Sequence, residues 1–237
     1  MQGVARKAEV KAIEAANPLR PNVRGAHTAT GRYGSFADMT TEQVALWAWG
    51  ALKRPTLRIL DTETTGRGPQ WGGGIDELVE ICIVDGNGAV LLNTLVKPNG
   101  MMHPDAAAKS GITDAMLAPY APFSAIAGQV RESLQGKNVV IYNADYDVPL
   151  IAAAFTSCGQ VEPTYQWRCA MRAYHKFSSR LAREPWAKLD VACQAAGITP
   201  QGDAHRALGD CLSTLALLRL MADHAPVPKQ VPAVAYP

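Results

Sequence analysis

Two carboxylates spaced two residues apart are the first sign of chemistry in this chain. Asp61 and Glu63 follow an apolar run in Leu57-Arg58-Ile59-Leu60-Asp61-Thr62-Glu63-Thr64-Thr65-Gly66. Alternate residues on a strand share a face, so both carboxylates point the same way. Like charges side by side repel each other, and a cation between them relieves the repulsion. An Asp-x-Glu alone is more often a polar strand end entering a loop. The full string Asp-Thr-Glu-Thr-Thr-Gly is far more specific.

A third carboxylate heads a helix. Asp147, Leu150, Ile151, Ala154, Phe155 and Cys158 recur at helical spacing and make one buried stripe. Asp147 therefore faces inward, where a bare charge needs a partner. Asp145 points elsewhere and is placed to cap the helix, and Pro149 is expected in the first turn, where its missing N–H costs nothing. The helix dipole would account for an aspartate here, but not for its place on the apolar stripe.

His205 and Asp210 open the last helix, in Ala204-His205-Arg206-Ala207-Leu208-Gly209-Asp210. That helix is apolar nearly all round, and Asp210 shares its side with Ala207, Thr214, Leu217 and Met221. Five residues set His205 about 140° around a helix from Asp210. His205 is thus read as lying on the entry loop, free to swing over a site.

These residues must converge from four places along the chain, which asks for a sheet with helices around it. Residues 56–61 read as a strand, followed by a glycine-rich loop through Gly66, Gly68, Gly72 and Gly74. Residues 78–84 and 89–96 read as a hairpin about Asp85-Gly86-Asn87-Gly88, and 139–142 as a buried strand. Helices are expected near 123–134, 145–158, 170–177, 189–196 and 205–223. Three strands followed by alternating helices and strands predict an α/β domain with a mixed sheet, spanning 55–224. Residues 1–54 read as a basic, partly flexible extension, rich in Pro, Gly, Asn and Thr over 17–34. It carries a short helix at 41–52, capped by Thr40 with Gln43. Val44, Leu46, Trp47 and Trp49 of that helix are expected to dock on their own domain, or else on a protein partner. Residues 225–237 form a proline-rich tail expected to fray.

Composition narrows the class. The 237 residues are 48% hydrophobic with a net charge of +2, ordinary for a globular enzyme and unlike a disordered chain. Near-neutrality neither demands nor excludes nucleic acid, since a local basic patch can recruit it. Cys82, Cys158, Cys169, Cys193 and Cys211 are widely spaced with no CxxC pair, which argues against a zinc site and a disulfide framework. There is no secretory signal pattern and no stretch able to span a bilayer, so no membrane partner is expected and a reducing cytoplasm fits.

With these motifs in place, the chain resembles the DEDDh 3′→5′ exonuclease family, which includes the replicase epsilon subunit, RNase T and oligoribonuclease. The match runs over about 56–223: Asp-Thr-Glu-Thr-Thr-Gly resembles the first motif, Asn143-Ala144-Asp145-Tyr146-Asp147 the second, and His205 through Asp210 the third. Ser110-Gly111-Ile112-Thr113 resembles a His-Gly-Ile-Thr segment with Ser110 in place of histidine, and Tyr142 stands where the second motif usually has histidine. The resemblance implies an RNase H-like (exonuclease) fold, a mixed central sheet of about five strands flanked by helices. It implies two Mg²⁺ or Mn²⁺ ions held by Asp61, Glu63, Asp147 and Asp210, with Asp61 bridging. His205 would be the general base, and Thr64, Thr65, Ile112 and Asn143 would contact the terminal nucleotide. The expected reaction is hydrolysis of single-stranded nucleic-acid ends to nucleoside 5′-monophosphates, with DNA favoured over RNA. Trp71 is placed either to stack on a base or to cover the core edge, and Trp167 and Trp186 are read as packing residues. The competing reading is a catalytically silent nucleic-acid-binding module on the same fold. Oligomeric state is left open.

Overall fold

The computed structural model describes residues 36–66, 76–178, 186–202 and 205–226. Trp71, residues 1–35 and the proline-rich tail from residue 227 lie outside them. The first element is helix α1 (Thr41–Leu52), closed at its start by the expected capping box: Gln43 N donates to Thr40 Oγ1 at 3.1 Å, and Thr40 N donates to Gln43 Oε1 at 2.8 Å. Its Val44, Trp47 and Ala48, with Phe36 before it, share one apolar core with the strands that follow. The helix is thus an internal support of the folded unit, docked on its own domain.

Five strands make one mixed sheet. They are β1 (Leu57–Thr64), β2 (Leu78–Asp85), β3 (Val90–Leu95), β4 (Asn138–Ile141) and β5 (Gln166–Cys169), ordered β3-β2-β1-β4-β5. β1 pairs antiparallel with β2 and parallel with β4, while β2–β3 is antiparallel and β4–β5 parallel. β2 is buried at every position from 78 to 84, so both sheet faces are covered around it. Two features depart from the sequence reading. β1 runs three residues past Asp61, which puts Asp61 and Glu63 inside the paired strand. β5 was not predicted, because Gln166-Trp167-Arg168-Cys169 has neither alternation nor length.

The helices are α2 (Pro104–Ser110), α3 (Asp114–Leu117), α4 (Phe123–Leu134), α5 (Ala144–Ser157), α6 (Ala170–Phe177), α7 (Leu189–Ala196) and α8 (Ala207–Asp223). α8 lies against β1 and β2, and α1 packs on α8 from outside. Small side chains let α8 come close: the Cys211 thiol reaches the Cys82 and Ile59 carbonyls at 3.5 and 3.7 Å. All five cysteines are free thiols. α5 begins at Ala144, so Pro149 falls in its second turn and supplies no N–H for the carbonyl four residues back. Asp145 lies inside this helix and does not cap it; it is exposed and ion-paired with Arg172. The expected stripe holds: Asp147, Leu150, Ile151 and Phe155 are buried. Trp186, read as a packing residue, is instead 63% exposed. Among the described residues, no helix is long and apolar enough to cross a membrane.

Candidate active site

The sheet brings the acidic residues together where β1 ends beside β4. Asp61 and Glu63 project from one face of β1, and α8, pressed on that face, presents Asp210 to them. One carboxylate oxygen from each of Asp61, Glu63 and Asp210 lies within 4.8 Å of the others. Asp147 enters from α5, only 3% exposed, and Thr62 Oγ1 donates to its Oδ1 at 2.6 Å. All four acids line a cavity of about 650 Å³, together with Thr64, Asn143, Tyr146 and Lys109.

Crowding and burial shape the acid–base behaviour. Asp61 is pushed well above the usual carboxylate range by burial, then by the charges of Asp147, Asp210 and Glu63. Burial raises Glu63 to about 8, with Lys109 pulling the other way and Asp210, Glu80 and Asp147 adding. Asp147 rises to about 7, again through burial, the Thr62 hydrogen bond opposing it. Burial also lifts Asp210 to about 6, against the pull of Lys109. Four clustered carboxyls, raised by burial and in part by one another's charge, offer the hard oxygen donors that suit Mg²⁺ or Mn²⁺.

His205 lies outside α8, as expected, with φ +58°. The residue before the helix, Arg206, reaches back to β2: its Nη2 donates to Glu80 Oε1 at 2.8 Å and its Nε to Oε2 at 3.1 Å. Glu80 Oε2 also accepts the first free helix N–H, from Ala207, at 3.1 Å. The turn carrying His205 is therefore tied to the sheet. The imidazole lines a second cavity of about 290 Å³, which adjoins the first and shares Asp210 and Lys109 with it. Burial and then Lys109 lower its pKa, and Asp190 works against them.

Asn143 also has positive φ, +63°, at the start of α5, a conformation asparagine tolerates. Backbone strain of this kind at both Asn143 and His205 is concentrated around the cleft. Two expected contact residues do not line the cavity. Ile112 is fully buried in a small apolar cluster with Val79, Leu95 and Leu117. Thr65 is buried too, its hydroxyl accepting from Glu77 N at 2.9 Å. Ser110 turns inward, donating to the Ala106 carbonyl and accepting from Ile112 N. Tyr142 donates to the Ala187 carbonyl at 2.7 Å.

Sequence reasoning passed over Lys109, Lys188, Tyr146 and the Glu80–Arg206 pair. Lys109 belongs to the unpredicted α2, whose Pro104 at the first turn and His103 before it were the available signals. Tyr146 is half-buried, with its hydroxyl 2.7 Å from Thr64 Oγ1.

Comparison with known proteins places this arrangement. The RNase T family model, described as an exonuclease, matches residues 59–218. The chain is 38% identical over 173 residues to an uncharacterized exonuclease of Escherichia phage 186, covering 69% of this chain and 86% of that protein. It is 32% identical over 168 residues to exodeoxyribonuclease 10 of Escherichia coli strain K12, covering 68% of this chain and 66% of that one. Among solved structures, the nuclease domain of 3′hExo, a DEDDh family member bound to rAMP, superposes with a TM-score of 0.59 over 71% of this chain and 92% of that domain. At 16% identity, that likeness is one of fold.

Proposed function

Since this chain belongs to the RNase T exonuclease family, we propose that it removes nucleotides one at a time from the 3′ end of single-stranded nucleic acid, DNA before RNA, releasing nucleoside 5′-monophosphates. The observation that carries this reading is the approach of Asp61, Glu63 and Asp210 to within 4.8 Å of one another beside buried Asp147. Those four residues would hold two Mg²⁺ or Mn²⁺ ions, which when bound supply activation of the attacking water and stabilisation of the leaving 3′-oxygen.

The protein's own groups do the rest. His205, kept neutral by burial and by nearby lysine charge, takes the proton of the attacking water. The strained turn beneath it is held by Glu80, so the imidazole meets the cleft without a large search. Thr64, Asn143 and Tyr146 line the same cavity as the acids and position the terminal nucleotide. The preference for DNA draws on the likeness to a relative named as an exodeoxyribonuclease. The unit that carries this activity includes α1, because α1 shares the core of the sheet.

The test is degradation of 3′- and 5′-labelled DNA and RNA oligonucleotides with Mg²⁺, Mn²⁺ or EDTA, beside Asp61→Ala and His205→Ala. Metal-dependent shortening from the 3′ end, absent in the Asp61 variant and slowed about 10²–10⁴-fold in the His205 variant, is expected. A wild-type protein that binds these strands and cuts none would replace this reading with the silent binding module.

A further inference from the structure

The cavity lined by His205 extends beyond the four acids and shares Lys109, Tyr142, Asn143, Lys188 and Asp210 with the cleft. Its rim residue Trp186 is 63% exposed, an unusual cost for an indole that serves only packing. The indole is nevertheless held in place. The Arg172 guanidinium lies 5.5 Å from its ring centroid, and Arg172 is itself ion-paired with Asp145. The next residue along the chain, Ala187, is pinned by the Tyr142 hydroxyl at 2.7 Å, from inside the cleft. The residue after that, Lys188, is exposed and lines both cavities, as Lys109 of α2 does.

We propose that Trp186, Lys188 and Lys109 form a subsite for the second nucleotide of the substrate strand, with Trp186 stacking on its base and the two lysines facing its phosphodiester oxygens. This rests on the exonuclease reading and extends it. A cavity of about 650 Å³ is enough for one nucleotide beside the four acids, and the adjoining space of about 290 Å³, which shares five lining residues with it, gives a continuing chain room to follow. Stacking is indifferent to base identity, and ammonium groups facing phosphates are indifferent to sequence, so the subsite grips a strand without reading it. A flat ring held on a fixed backbone also favours an unpaired base, whose face is free, over one inside a duplex. Tyr142 acts here as a positioning residue, holding the segment that carries both Trp186 and Lys188.

The experiment compares an oligothymidylate with the p-nitrophenyl ester of thymidine 5′-monophosphate, which has no second nucleotide. Trp186→Ala is expected to raise KM for the oligonucleotide about 10-fold more than KM for the ester, and Trp186→Phe to recover most of the difference. Equal effects on the two substrates, or none on either, would overturn the subsite. Fluorescence anisotropy of a labelled oligothymidylate in EDTA keeps the two readings apart. If the wild type hydrolyses neither substrate, the exonuclease reading fails. The subsite still stands if Trp186→Ala weakens oligonucleotide binding about 10-fold, and falls if binding is equal.

Discussion

Glu63 and Glu80 stand opposite one another on the antiparallel β1–β2 ladder, and Glu80 carries its own ion pair with Arg206, its side chain only 3% exposed. Like charges directly across a ladder are destabilising. Here the strain is divided: Arg206 neutralises the inner carboxylate, and Glu63 is left to face Asp61 and Asp210. The same Arg206 bond ties the entry of α8 to the sheet, so charge balance and placement of His205 depend on one contact.

Replacing Glu80 should therefore harm both fold and site. Glu80→Ala removes the carboxylate that accepts from both the Arg206 guanidinium and the Ala207 N–H, at a cost of about 2–4 kcal/mol. Chemical denaturation measures that loss. Activity should fall on every substrate, the p-nitrophenyl ester included, which separates this effect from that of Trp186. A stability change below about 0.5 kcal/mol would mean that the contact does not hold the helix entry.

Thr62 gives a finer test, because its hydroxyl donates to Asp147 and opposes the rise in that carboxyl's pKa. Thr62→Val keeps the shape and removes the donor. Asp147 then ionises at higher pH, so the acid limb of the activity profile should move upward, and turnover at pH 7 should fall about 10-fold. Stability should drop by about 1 kcal/mol. An unmoved pH profile would show that Thr62 serves packing only.

The raised carboxyls make a prediction about stability against pH in the metal-free protein. Asp210 titrates at about 6, Asp147 at about 7 and Glu63 at about 8 in the folded state, against about 4 in an unfolded chain. The folded state thus holds more protons, and its stability falls as pH rises from about 4 through about 8. Melting temperature in EDTA should drop across that interval, and millimolar Mn²⁺ should restore more of it at pH 8 than at pH 5. A metal-free melting temperature that climbs over the interval would contradict the assignment of these three carboxyls.

Truncation tests where the folded unit starts. Val44 and Ala48 of α1 are fully buried, on a helix packed against α8 and α6, so a chain begun at residue 55 uncovers that face. It should aggregate or melt well below the full chain, while one begun at residue 36 keeps its cooperative unfolding by circular dichroism. Equal melting of the two would put α1 outside the unit.

The placement of the candidate site residues was largely legible in the sequence, because local rules settle it. A period of two sets Asp61 beside Glu63 on β1. A period near 3.6 puts Asp147 on the buried stripe of α5 and Asp210 among the apolar residues of α8. The capping box at Thr40 and the turn at residues 85–88 are likewise local, and the structure has both. What lay beyond the sequence depends on contacts between distant segments. The four-residue β5 is a strand only because β4 offers it a partner, and Lys109 enters the cleft only because α2 lies along its wall. Ile112 and Thr65 turned out buried because packing, which no motif encodes, assigns which side of a residue meets the core. Trp186 shows the same limit in reverse. Its type suggested packing, and its exposure was decided by Tyr142 and Arg172, which hold the segment at the rim. Periodicity fixes direction along one element, whereas the neighbours across each surface are chosen by the closing of the whole chain.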